Sequence, residues 1–234
     1  MNVAYNKDCL PAMRELPDKF FDLAVVDPPY GDVTHGGYMI NAKSTERLAH
    51  SHDYHMEIWK QQKPGPEYFS ELFRVSKNQV IFGGNYFMQE ISRNSQCWLV
   101  WDKLRPEGVK FADCELAWTS FDLASRVFRF RWNGMLQGNM AVKEWKIHPT
   151  QKPVALYSWI YSLFTKPGDR ILDTHLGSGS SRIAAYSAGL DFVGYEIDKK
   201  YFDLQEARFA QHAAQMDLFL DGRRGEAQIS FDEL

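Results

Sequence analysis

Little in this chain could staple it covalently or clip it with a metal. Its cysteines, Cys9, Cys97 and Cys114, are scattered, odd in number and without ligand spacing. Neither a disulfide framework nor a structural zinc site is expected, and the reading is of a reduced, cytosolic protein. No stretch is apolar enough for long enough to span a bilayer, and the opening MNVAYNKDCL has no basic flank leading into an apolar run. Internal repeats and low-complexity tracts are absent too. So is a blanket of positive charge: 27 Lys and Arg stand against 30 Asp and Glu, for a net charge of −3. Any grip on phosphates would therefore rest on a local cluster. What the chain does have is material for a core. With 234 residues, 44% hydrophobic and 24% charged, it can form one large domain without metals or crosslinks.

Along the chain, residues 7 to 20 read as a short helix ending near Pro17, followed by a buried strand, Leu23 to Val26. Pro28 and Pro29 then forbid both helix and ladder, so the chain must leave the sheet at Asp27. A long irregular stretch runs from Gly31 to about Pro66, a length that usually signals function or mobility. The pattern next predicts a helix over Glu67–Lys77, a strand over Gln79–Phe82, a Gly83-Gly84 turn, a helix from Asn85 and a strand over Cys97–Trp101. Residues 113 to 132 read as two strands, with Glu115/Ala117 and Arg129/Arg131 alternating against apolar neighbours. A helix from Pro153 to about Thr165 precedes the strand Arg170–Asp173, a glycine turn, a helix over Gly179–Ala188 and a last strand over 191–196. A polar-faced helix covers Tyr201–Ala214, and the tail beyond Leu220 is expected to fray. Alternating strands and helices argue for an α/β sheet.

Two places carry chemistry. In Asp173-Thr174-His175-Leu176-Gly177-Ser178-Gly179-Ser180 a strand enters a tight turn and then a helix, and the glycines let backbone approach a ligand closely. Glu196, ending the next strand, lies at the separation expected of a carboxylate that grips ribose hydroxyls. A dinucleotide site would want a third glycine where Arg182 stands; a nucleoside without pyrophosphate would not, and an empty structural turn is a third reading. The second place is Asp27-Pro28-Pro29-Tyr30, at the carboxyl end of a strand. An aromatic amine is a poor nucleophile because its lone pair is delocalised into the ring. The Asp27 carboxylate and a proline carbonyl, both accepting its hydrogens, would pull the nitrogen toward tetrahedral geometry. The prolines fix that backbone, and Tyr30 could stack on a flipped base.

Taken together, these residues resemble the β-type DNA amino-methyltransferases, in which the catalytic motif precedes the cofactor motif. The likeness extends over almost the whole chain. Asp8-Cys9-Leu10 with Leu16-Pro17-Asp18, Asp27 to Tyr30, Gly83-Gly84-Asn85-Tyr86, His148-Pro149-Thr150-Gln151-Lys152-Pro153 and Asp173 to Ser180 each match a family element in order. The resemblance implies a Rossmann-like S-adenosylmethionine-dependent methyltransferase fold: a mixed, mostly parallel twisted sheet with helices on both faces. It implies transfer from S-adenosylmethionine to the N6 amino group of a flipped adenine, in line and without a covalent enzyme intermediate. Catalytic residues would be Asp27, Pro28, Pro29 and Tyr30. Asp8 and Cys9 would touch the cofactor's adenine. Asp27, Thr150 and Lys152 would lie near its methionine end, Asp173, Gly177, Ser178, Gly179 and Ser180 would form its cradle, and Glu196 would hold the ribose. His175 departs from the family's phenylalanine, and Leu176 from its small residue, which puts the detail of that turn in question.

The span 120–147 occupies the family's target-recognition region and is short, so a short target or a second subunit is expected. Arg126, Arg129, Arg131, Lys143 and Lys146, interleaved with Phe128, Phe130, Trp132 and Trp145, are the candidate contacts to double-stranded DNA; solvated strand faces are the competing reading. His50, His52 and His55 lie in a polar loop at irregular spacing, and a cover over DNA suits them better than a metal. Gln215-Met216-Asp217-Leu218-Phe219 resembles the peptide by which bacterial DNA enzymes dock on the replication sliding clamp; the alternative is that it packs back on the enzyme. The resemblance further implies a prokaryotic or phage-encoded cytoplasmic enzyme. N4-cytosine methylation, a protein or RNA amide methyltransferase, and a nicotinamide-dependent dehydrogenase stay open at this point.

Overall fold

Phe21–Val26 is a run of apolar residues with no polar face, the pattern of a strand covered on both sides. In the computed structural model, which describes residues 1–31, 63–107, 112–133, 136–141 and 143–231 (side chains of 133 and 217–231 excepted), it lies near the middle of an eight-stranded sheet. The first half contributes β1 (Asn2–Tyr5), α1 (Cys9–Arg14), β2 (Phe21–Val26), α2 (Pro66–Val75), β3 (Ser76–Phe82), a 3-10 turn at Gly84–Tyr86, α3 (Met88–Ile91) and β4 (Trp98–Asp102). The second contributes β5 (Cys114–Thr119), β6 (Arg126–Arg129), a small ladder of β7 (Trp132–Asn133) with β8 (Leu136–Gln137), α4 (Val154–Phe164), β9 (Arg170–Asp173), α5 (Ser180–Ser187), β10 (Asp191–Tyr195) and α6 (Lys199–Phe231). The sheet order is β1-β10-β9-β2-β3-β5-β4-β6, and only β5 runs against its neighbours.

Side-chain alternation along β2 builds two cores. Leu23 and Val25 face one side with Val80, Phe82 and Ile171, beneath α4 and α5 (Leu156, Tyr157, Ile160, Ala184). Ala24 and Val26 face the other with Ile81 and Leu172, beneath α1 and α2 (Met13, Phe69, Leu72, Phe73), and Phe21 at the start of the strand packs into this second core out of alternation. Burying a large side chain of this kind contributes about 1.5–3 kcal/mol, so the sheet is held firmly from both faces. Helices on both faces of a mostly parallel sheet agree with the expected fold class.

From β2 the chain passes through α2 to β3 on one side, and from β9 through α5 to β10 on the other. The neighbours β9 and β2 thus flank a topological switch point, where open α/β sheets leave a crevice at the carboxyl ends of the strands.

Three expectations need correction. β1 was not foreseen: its four residues carry a weak pattern, and parallel pairing to β10 makes the strand. Arg131 falls outside β6, which ends at Arg129. The last helix, expected over Tyr201–Ala214, runs instead from Lys199 to Phe231. Gly222 and Gly225 each cost a helix only about 1 kcal/mol relative to alanine, and no proline follows Pro167 to stop it. Among the described residues no helix is long and apolar enough to cross a membrane.

Candidate active site

Four neighbouring parallel strands, β1, β10, β9 and β2, end along one edge, and at or just beyond each end stands an acid: Asp8, Glu196, Asp173 and Asp27 respectively. Asp8 caps α1 by accepting the Leu10 N–H at 2.9 Å. Behind it the Cys9 thiol is buried, and burial together with the Asp8 charge pushes it up to about 12, so it is a neutral packing group. Glu196 accepts the backbone N–H groups of Gly177 and Asp198, each at 2.8 Å. Burial raises its carboxyl above the usual range, with those two hydrogen bonds opposing. Asp173 accepts the Ser181 hydroxyl and, at 3.1 Å, the His175 N–H. Burial, with the charges of Asp27 and Glu196 adding to it, lifts Asp173 to about 7.

The glycine turn has the backbone its sequence requires. Gly177 and Gly179 adopt φ of +52° and +73°, which side-chain-bearing residues rarely do. Arg208 from α6 braces this turn: it donates to the Ser178 carbonyl at 2.7 Å, to the Ser180 hydroxyl at 2.9 Å and to Glu144 Oε2 at 2.7 Å. Glu144 also accepts the first N–H of α4, from Val154, and Gln137 holds its backbone on both sides. The 120–147 span and the glycine turn therefore meet at one guanidinium. His175 fills the place of the family's phenylalanine, edge-on to Tyr68 at 5.5 Å, with Nδ1 at 2.9 Å from Thr174 Oγ1. Burial lowers its pKa to about 4, so the ring packs uncharged. His148 is also held neutral, at about 4, by burial and then by the Lys152 charge; it stands edge-on to Tyr201 and contacts Thr150 Oγ1 at 3.2 Å.

At the end of β2, Asp27 Oδ1 accepts the Tyr30 hydroxyl at 2.7 Å and Oδ2 accepts the Lys152 ammonium. Tyr30 stacks on Tyr86, with ring centroids 5.0 Å apart and planes 25° apart. Gly83 makes this packing feasible: a Cβ there would lie 2.2 Å from the Tyr30 ring. In this arrangement Tyr30 supports Asp27 as well as offering a ring. Lys152, placed by resemblance at the methionine end of a cofactor, is buried against Phe82 and lies between Asp27 and Glu115, whose Oε2 is 3.1 Å away. Lys103 takes the other Glu115 oxygen. Glu115 and Lys103 were missed from the sequence, yet a cue existed. Glu115 shares strand parity with core residue Ala117, and a carboxylate on a core-facing position demands a cation.

The candidate DNA contacts are spread over one flank. Arg126 is level with Phe82 through the pairs Leu99–Arg126, Leu99–Ala117 and Phe82–Ala117, and Arg129, paired with Asp102, lies beyond the edge that bears Asp27. The outer strand β6 is four strands from β2, about 19 Å at ordinary spacing. Arg126, Arg129, Arg131 and Lys143 are exposed; Lys146 is half-buried over the Trp132 ring at 4.7 Å. Trp145 is 72% exposed. His50, His52 and His55 lie outside the described residues, as do the side chains of Asp217, Leu218 and Phe219; on α6, Gln215 is exposed and Met216 half-buried.

Residues 37–207 match the N6/N4 methyltransferase family, described as DNA methylase. The chain belongs to that family. Among relatives of this DNA methylase, the Type II methyltransferase M.HinfI of Haemophilus influenzae is 24% identical over 252 residues, spanning 90% of this chain and 69% of its own. The putative DNA modification methylase TTHA0409 of Thermus thermophilus superposes with a TM-score of 0.58 at 18% identity, covering 91% of this chain and 95% of its own. The cytosine-N4-specific PvuII DNA methyltransferase superposes at 0.59 with 12% identity, covering 89% and 86%. The fold is thus that of S-adenosylmethionine-dependent DNA methyltransferases, and the dehydrogenase reading falls away. The row of carboxylates agrees, because a dinucleotide's pyrophosphate would meet like charge along this edge.

Proposed function

We propose that this DNA methylase transfers a methyl group from S-adenosylmethionine to N6 of adenine in double-stranded DNA. The observation that carries the reading is the placement of Asp27-Pro28 at the switch point, directly beside the acid-lined edge of β9, β10 and β1. The donor set suits the cofactor: carboxylates for ribose hydroxyls and an adenine amine, and glycines at positive φ for close approach. TTHA0409 in complex with S-adenosyl-L-methionine, similar to this chain at a TM-score of 0.56, supports the same choice. Bound there, S-adenosylmethionine supplies an electrophilic methyl group.

The chain's own residues do the rest. Glu196 grips the ribose, Asp8 and Cys9 border the adenine, and Gly177, Ser178, Gly179 and Ser180 with Asp173 shape the cradle, while Thr150 and Lys152 lie toward the methionine end. Asp27 and the Pro28 carbonyl accept the hydrogens of the target amine and aim its lone pair. Tyr30, Pro28 and Pro29 form the walls. Much of the rate comes from holding amine and methyl in line, after the base has been flipped at a cost of about a few kcal/mol. Arg126, Arg129, Arg131, Lys143 and Lys146 hold the phosphates, and the short 120–147 segment reads few bases. We also hold to clamp docking through Gln215–Phe219, to a pairing of two copies to extend the short reader, and to a cytoplasmic setting as parts of this proposal.

An aspartate at the first position of the catalytic tetrad, rather than serine, favours adenine. Base-resolution modification mapping of DNA from cells expressing the chain decides the matter. N6-methyladenine at a short fixed sequence is expected; N4-methylcytosine would overturn the base assignment, and unmodified DNA would overturn the activity.

A further inference from the structure

Both oxygens of the carboxylate that the proposed chemistry needs as an acceptor already carry a donor: Tyr30 on Oδ1, Lys152 on Oδ2. Each oxygen keeps a second lone pair, so a target amino group either crowds in beside these donors or takes the place of one of them. Lys152 is 5% exposed, and an ammonium left without a counter-charge there would cost far more than one hydrogen bond contributes. A counter-charge is in reach. Glu115 Oε2 lies 3.1 Å from the Lys152 nitrogen, an ion pair angled too poorly for a well-formed hydrogen bond. Its sister oxygen is fixed by Lys103, which pins the carboxylate in place.

We propose that Glu115 is a positioning residue that receives the Lys152 ammonium when the target amine engages Asp27, so that Lys152 stands in for the amine until the base arrives. This rests on the amino-methyltransferase reading above. Lys152 keeps its proton throughout, and no covalent bond is made or broken by the exchange. The short shift turns the Glu115 contact into a well-formed hydrogen bond and keeps Lys152 paired, while Asp27 exchanges its cation for the hydrogen bonds of Tyr30 and the amine. It also makes the place beside Asp27 selective, because only a group that donates as Lys152 does can take it.

The charged and titratable groups around the exchange are Asp27 and Tyr30 after β2, Glu115 on β5, Lys103 after β4, and His148 and Tyr157 from the α4 side. Burial opposes the Lys152 charge, but Asp27 and Glu115 outweigh it and hold its pKa above the usual value. Burial likewise opposes the Glu115 charge, and Lys152 and Lys103 outweigh it, leaving that carboxyl at about 2.

The test is single-turnover methylation of target duplex by Glu115→Gln and wild-type chains across neutral to alkaline pH, with S-adenosylmethionine affinity measured alongside. In Glu115→Gln, Lys152 can leave Asp27 only by losing its proton. The rate should fall at least about tenfold at neutral pH and climb by about tenfold per pH unit, while cofactor affinity stays within about twofold and the wild-type profile stays flat. A merely structural role would lower the rate equally at every pH, and that result, or an unchanged rate, overturns the proposal. Should Glu115→Gln fail to fold, the wild-type complex with target duplex and S-adenosylhomocysteine decides. The Lys152 nitrogen should then hydrogen-bond Glu115 Oε2, and finding it still on Asp27 with the base in place refutes the exchange. A wild-type chain that methylates no DNA would instead count against the proposed function.

Discussion

Replacing His175 by phenylalanine, the family's residue at that place, should make the protein less sensitive to acid. His175 titrates at about 4 in the folded protein against an ordinary 6.5, because burial outweighs the favourable charge of Asp8. A lowered histidine pKa leaves stability intact above about pH 6.5, and stability is lost progressively as pH falls from there to about 4, since over that window only the unfolded chain takes the proton. Between about pH 7.5 and pH 5 the linkage amounts to about 2 kcal/mol. Solvent at the exposed part of the ring screens some of this, so a difference of about 1–2 kcal/mol is expected. His148, also at about 4, contributes similarly and is untouched by the change. The wild type should therefore lose roughly twice the histidine-linked stability that His175→Phe loses. Urea unfolding at the two pH values measures it. The 2.9 Å approach of Thr174 to His175, absent from the variant, matters equally at both pH values and drops out of the difference. An equal acid penalty in the two chains would refute the assignment of a buried, neutral His175.

Asp27→Ala should bind S-adenosylmethionine but lose methyl transfer by roughly 10²–10³-fold, as when a positioned polar group is removed from a transition state; a near-normal rate would remove Asp27 from the chemistry. Glu196→Ala should weaken S-adenosylmethionine by about tenfold or more, through missing hydrogen bonds to a charged group and a loosened Gly177 N–H. Unchanged affinity by calorimetry would mean the ribose site is elsewhere. Alanine at Arg126, Arg129 or Arg131 should lower the salt slope of DNA binding by about one unit for each phosphate released. A slope unchanged by all of them would make β6 and its flank structural.

The sequence displayed the two halves of the site because each follows a buried parallel strand. Such strands read as unbroken apolar runs, and Pro28 or Gly177 marks where each run ends. Element ends shifted by a few residues, as at α1 and β3, without moving Asp27 or Glu196 from the strand ends. What stayed hidden depends on distance along the chain. Lys152 meets Asp27 across 125 positions and Arg208 meets Glu144 across 64, and no local pattern encodes such pairings. β1 was missed for the same reason, since its partner β10 comes near the other end of the fold. Tyr30 is the subtler case: the tetrad suggested a ring waiting for a base, but the Gly83 turn also lets it brace the aspartate.

The Arg208 hub bears on how such enzymes could be re-targeted. A recognition segment looks like a cassette that could be exchanged between relatives to change the sequence being read. Here Glu144, inside the 120–147 span proposed above as the reader, supplies the counter-charge for a guanidinium that also holds Ser178 and Ser180, and it caps the helix that follows the Lys152 motif. A graft lacking a carboxylate at 144 would strand Arg208 among largely buried groups and slacken the glycine turn, so the chimera would lose its methyl donor before its new reader met DNA. A graft that retains Glu144 and Gln137 keeps the joint, and Gly138 must stay with them because a Cβ there would lie 2.6 Å from the Phe130 ring.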